Sequence, residues 1–97
     1  MLIKRFFKTK NEAEVTFEFN RSDVKSVCLL ADFSDWQPII MKFNQKNKTF
    51  RTKVRLPKGK QYHFRYLLNE QEWENDYAAD RYIANAFGTE NSVVITE

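Results

Sequence analysis

Cysteine is close to absent from this sequence. Cys28 stands alone, so the chain cannot close an internal disulfide or build a cysteine-rich zinc site. A reducing, cytoplasmic setting is the expectation that follows. Histidine is equally scarce. His63 lies beside Arg65 in a strand-like run, where an exposed strand residue is expected rather than a catalytic base. The two glycines, Gly59 and Gly88, are too few and too far apart for a phosphate-cradling loop. No apolar run approaches the roughly 18–20 residues that span a bilayer, so no membrane partner is expected. Met1 to Lys8 lacks the continuous apolar stretch and small-residue cleavage site of a secretory signal.

What the chain does have is aromatic residues and alternation. Hydrophobic residues make up 42% of its 97 positions, which places it among folded single domains. Nine phenylalanines predict a largely aromatic core. Ala13, Val15, Phe17 and Phe19 alternate with polar residues, as a half-buried strand requires. Residues 26–31 form a more continuously apolar strand, and 39–43 read as a short third one. Phe50, Thr52, Val54 and Leu56 alternate with Arg51, Lys53 and Arg55. Tyr62, Phe64, Tyr66 and Leu68 alternate with Gln61, His63 and Arg65, and 92–96 close the series.

Turns are expected at 44–48, 57–59 and 69–71, where asparagine, proline and glycine gather. The stretch from Asn75 to Gly88 is less regular, and its alanine pairs suit a short helical turn. Six or more short strands without an amphipathic helix predict an all-β, immunoglobulin-like antiparallel sandwich in a single domain.

Two tryptophans sit in polar, turn-like surroundings. Trp36 follows Asp32-Phe33-Ser34-Asp35, and Trp73 lies within Gln71-Glu72-Trp73-Glu74-Asn75. Aromatic rings on polar loops commonly meet ligands, although either ring can also serve as a partly buried anchor for its loop. Catalytic chemistry is harder to assemble. Asp32 and Asp35 have the residue types of a glycosidase acid–base pair, but loop aspartates more often bond backbone N–H groups. Ser34 has neither a nearby histidine nor a glycine-rich elbow to activate it. No catalytic residue, metal site or cofactor is therefore expected.

Charge is unevenly distributed. Residues 1–65 carry a balance of +9 and residues 66–97 one of −6. The two segments are expected to be neighbours in the fold whose charges largely offset. The alternative is a basic surface for an anionic partner, with the Arg51, Lys53, Arg55 stripe serving a nucleic acid. That stripe reads equally well as a solvated strand face.

The segment Leu29-Leu30-Ala31-Asp32-Phe33-Ser34-Asp35-Trp36-Gln37-Pro38 resembles the "G-x-F-N-x-W" segment of glycogen-binding domains. The likeness continues through Leu56-Pro57-Lys58-Gly59, residues 62–69 and Trp73-Glu74-Asn75-Asp76. It ends at Phe87-Gly88-Thr89-Glu90-Asn91, similar to the family's "L-G-T-x-N-N". These domains are early-set sandwiches, grouped as carbohydrate-binding module family 48. They occur in branching enzymes, isoamylases and the β-subunits of AMP-activated protein kinase.

The resemblance covers residues 13–96 and implies a carbohydrate site formed by Trp36, Arg65, Trp73, Phe87, Thr89 and Asn91. Its ligand would be an α-1,4-glucan such as glycogen or a maltooligosaccharide. A glycogen-metabolising enzyme or kinase is the protein partner it implies. Arg65 stands where relatives have lysine, and Phe87 where they have leucine. An extra residue between Asn69 and Trp73 is expected to displace the second indole. Branching and debranching relatives carry their chemistry in a separate (β/α)8 barrel of about 250 residues, for which these 97 residues have no room. A module of the same fold that docks on a protein and has lost sugar binding is the alternative.

Overall fold

The computed structural model describes all 97 residues. Ten strands follow in order: β1 (Leu2–Phe6), β2 (Glu12–Phe19), β3 (Val27–Ala31), β4 (Ile39–Ile40), β5 (Lys42–Asn44), β6 (Thr49–Pro57), β7 (Gln61–Leu68), β8 (Glu72–Glu74), β9 (Arg81–Ala84) and β10 (Glu90–Ile95). A single 3₁₀ turn, Asp32–Ser34, follows β3. One sheet has the order β1-β2-β6-β5, and the other β4-β3-β7-β10-β9, with β8 paired to β7. Every pairing is antiparallel. This is the expected immunoglobulin-like sandwich.

Alternation decides which faces meet. Val15, Phe17 and Phe19 of β2, with Phe50 and Leu56 of β6, are buried against Leu29, Phe64, Tyr66 and Leu68 of the opposite sheet. Phe17 meets Phe64 edge-on at 5.0 Å, and Phe64 meets Tyr66 the same way at 5.7 Å. Such edge-to-face pairs add about 0.5–1.5 kcal/mol each beyond area burial. Of the nine phenylalanines only Phe17, Phe19, Phe50 and Phe64 are buried, with Tyr66, so the core mixes aromatic and aliphatic side chains and is less aromatic than expected.

The structure departs from the expected elements in three places. The strand read over 39–43 breaks at Met41. Ile39–Ile40 pairs with β3 in one sheet and Lys42–Asn44 pairs with β6 in the other. Met41 is buried at the crossing, and its N–H donates to Val27 O at 3.0 Å. Second, the 75–88 stretch holds no helical turn but strand β9, paired to β10 over four registers. Third, Leu2–Phe6 forms edge strand β1 on β2, which the doublets Leu2-Ile3 and Phe6-Phe7 disguise by breaking the period-two pattern.

The irregular segment after β8 is tied down by a buried carboxylate. Asp76 accepts from the Tyr66 hydroxyl at 2.7 Å and the Ala78 N–H at 2.8 Å, and it ion-pairs with the Met1 amino group. Its own N–H donates to Ser92 Oγ, and its carbonyl accepts from the Tyr82 hydroxyl. Burial, reinforced by the Asp76 charge, pushes the Tyr66 phenol well above its ordinary pKa of 10.0. At pH below 10 the phenol is protonated in folded and unfolded chains alike, and its contribution to stability is complete. Above that the unfolded chain ionises first, so stability falls by about 1.4 kcal/mol per pH unit until the folded phenol also ionises. Urea midpoints are expected to fall as pH rises above about 10, and Tyr66→Phe to reduce that slope, leaving the smaller contributions of Cys28 and Tyr62, whose partial burial also raises them.

Candidate functional site

The site lies on the outer face of the second sheet. Because Phe64, Tyr66 and Leu68 fill the interior, His63, Arg65 and Leu67 of β7 point outward. The register Leu67↔Trp73 brings Trp73 onto that face. Trp73 thus stands on strand β8 rather than in the polar turn expected of it. Glu72 and Glu74 disguise the strand, yet both serve its far side, within 3.1 and 3.6 Å of Arg21.

The turn before β8 places Asn69 and Glu70 in the left-handed region, at φ 52 and 61. Asn69 Oδ1 pins the turn by accepting from the N–H groups of Lys25 and Ser26. Trp73 consequently faces the same groove as Trp36.

Trp36 is delivered by a tight turn. Asp35 and Trp36 occupy the left-handed region at φ 53 and 58, and Trp36 N–H donates to Ala31 O at 2.8 Å. The Ser34 hydroxyl lies 3.0 Å from the carbonyls of Ala31 and Gln37. Asp32 Oδ2 accepts from the His63 N–H at 3.0 Å, the backbone role expected of a loop aspartate. A bulky residue at positive φ is uncommon, and such strain concentrates at functional sites.

Asn85 organises the third wall. Its Oδ1 accepts from the N–H groups of Phe87 and Thr89 and lies 3.1 Å from the Thr89 hydroxyl. Its Nδ2 donates to Asn91 Oδ1 at 3.0 Å, and Asn91 Nδ2 lies 3.2 Å from His63 Nδ1. Gly88, at φ 80, closes the turn and leaves Phe87 89% exposed at its tip. Sequence reading missed Asn85. The available signal was an asparagine two residues before Phe87 and three before a glycine, the pattern of a side chain that caps its own turn.

All six site residues expected from the sequence line one groove of about 590 Å³, and Asn85 is the seventh. Trp36 is 39% and Trp73 44% exposed, so each indole presents part of its surface to solvent. The Arg65 guanidinium carbon lies 5.2 Å from the Trp73 ring centroid. Its Nε is shielded from water without a hydrogen-bond partner. Cation–π contact of this kind holds the two side chains as a unit.

Elsewhere, a concavity of about 570 Å³ is lined by Lys42, Arg51 and Lys53 with only Ile40 and Phe43 apolar. Within the basic stripe Arg51 ion-pairs with Glu18, while Lys53 and Arg55 lie opposite Thr16 and Glu14. The two oppositely charged segments meet at Arg21 and at Lys4, which lies 2.6 Å from Asp80. No three His, Cys, Asp or Glu side chains converge as metal ligands would. No helix is long and apolar enough to cross a membrane.

No protein-family model matches the chain, and no curated protein matches its sequence. Among solved structures, the ferric enterobactin esterase of Salmonella typhimurium is similar, with 16% identity and a TM-score of 0.55. The match covers 91% of this chain but 23% of the esterase, so the chain spans about a quarter of that structure. At this identity the likeness concerns the fold of a β-rich domain.

Proposed function

We propose that this chain is a non-catalytic α-glucan-binding module of the early-set type, a member of carbohydrate-binding module family 48. One observation carries the reading: Trp36, Trp73 and Phe87, drawn from three separate segments, line a single groove with Arg65. The C–H faces of glucosyl units would stack on these rings, and Arg65 would donate to ring or hydroxyl oxygens. Asn85 and Thr89 hold the Phe87 turn. Asn91, with both ends of its amide already engaged, contributes support and its one remaining N–H.

An open groove on the outer face of a sheet, lined by aromatic rings rather than by an acid–base pair or nucleophile, fits a role next to chemistry rather than in it. A glycogen-metabolising enzyme would be the natural companion. Two measurements test this: mobility in native gels containing glycogen, and tryptophan fluorescence on titration with maltoheptaose. Retardation and a saturable change with Kd on the order of micromolar to millimolar are expected. Unchanged mobility with no fluorescence response would refute the glucan reading. The alternative, a protein-docking module of the same fold, draws on the engaged amides, which reduce the hydrogen-bonding capacity left for sugar.

A further inference from the structure

Arg65 is better equipped than a neutral sugar requires. Its guanidinium makes no ion pair, whereas Arg21 and Arg51 each bond carboxylates. Its Nε is desolvated yet without an acceptor. Its guanidinium carbon lies over the Trp73 ring, 5.2 Å from the centroid, which restrains the donor fork beside the indole.

None of the seven lining residues carries a carboxylate. Three neighbouring acids are turned to other tasks. Asp32 bonds the His63 N–H, and Glu72 and Glu74 face Arg21. Asp35 and Glu90 are exposed beside the groove without lining it. The groove's acceptors are also committed. Asn85 Oδ1 is approached by three donors, and Asn91 Oδ1 accepts from Asn85. A glucose hydroxyl brings both a donor and an acceptor, but the site offers chiefly unused donors. An acceptor-only, charged group matches that surplus, and the planar arginine fork suits an oxyanion better than a lysine does.

We infer that the groove prefers an α-glucan carrying a phosphate monoester, held by Arg65 while the indoles and Phe87 stack on adjoining glucosyl rings. This rests on the glucan reading and adds the ligand's charge to it. Three terminal oxygens and up to two charges let a phosphate engage more of the five guanidinium N–H groups than a carboxylate can.

Calorimetric titration with maltoheptaose, maltoheptaose bearing one 6-phosphate and maltoheptaose bearing one 6-carboxylate tests the inference. The phosphorylated form is expected to bind about tenfold tighter than the neutral one at low salt, because it gains charge-assisted hydrogen bonds. That margin should narrow at about 0.2 M salt, since the groove is open to solvent. Arg65→Gln should erase the preference, and Arg65→Lys should keep part of it, each variant checked by its thermal melt.

Equal binding of neutral and phosphorylated forms overturns the inference and leaves the glucan reading intact. A preference that persists in Arg65→Gln also overturns it, by moving the anion to another basic surface. Equal gain from the 6-carboxylate overturns the phosphate assignment. Binding of none of the three overturns both readings.

Discussion

Asp76→Ala is expected to be the most destabilising single substitution in this chain, by about 3–5 kcal/mol, the range for removing one partner of a buried ionic network. The change strands the Tyr66 hydroxyl in the interior and frees the Ala78 N–H. It also removes the carboxylate that faces the Met1 amino group. Small domains have about 5–15 kcal/mol in hand, so the loss is a large share of the whole. The melting temperature should fall on the order of 20 °C, and the urea midpoint should drop with its slope retained. Asp76→Asn keeps the shape and one acceptor oxygen and should cost less. A loss below about 1 kcal/mol for the alanine variant would mean that the network contributes no more than an ordinary surface contact. Because the same network fixes the chain leaving β8, glucan binding should weaken at temperatures where the variant remains folded.

Asp76 also shows where sequence reading stops. Next to Glu74, Asn75 and Tyr77 it looks like one more polar loop residue, and nothing local announces that it is 1% exposed. Burial there is set by partners from β7 and β10, 10 and 16 residues away. By contrast, β2, β6 and β7 were legible because each extends over eight or nine residues, long enough for alternation to declare a face. Strands β8 and β9, with three and four residues, are too short for a period to show, and their existence depends on the strands they pair with.

The candidate site divides in the same way. Its six expected residues were identified through a motif, and the fold gathers them at one groove. The stacking of Arg65 on Trp73 depends on the β7–β8 register, which no local pattern states. Asn85 acts through the backbone of its own turn and was hidden among alanines.

Replacing both indoles by alanine is expected to abolish glucan binding while leaving the fold intact. Trp36 and Trp73 are each more than a third exposed and lie outside the buried cluster, so truncation opens no cavity. An anchoring aromatic typically accounts for about 2 kcal/mol or more of binding, roughly 30-fold in affinity. Losing two would carry a weak ligand beyond detection in glycogen gels.

Trp36→Gly separates binding from folding more sharply. At φ 58 a non-glycine residue bears a backbone cost of about 1–2 kcal/mol, which glycine does not. Glycine's greater freedom in the unfolded chain returns about 0.5–1 kcal/mol of that. The relief at positive φ should therefore offset part of the packing lost with the indole, which is 39% exposed, so the glycine variant should fall no lower in urea midpoint than Trp36→Ala while losing the fluorescence response to maltoheptaose. A marked loss of stability would identify Trp36 as a structural anchor of its loop, and its place in a ligand platform would fall with that result.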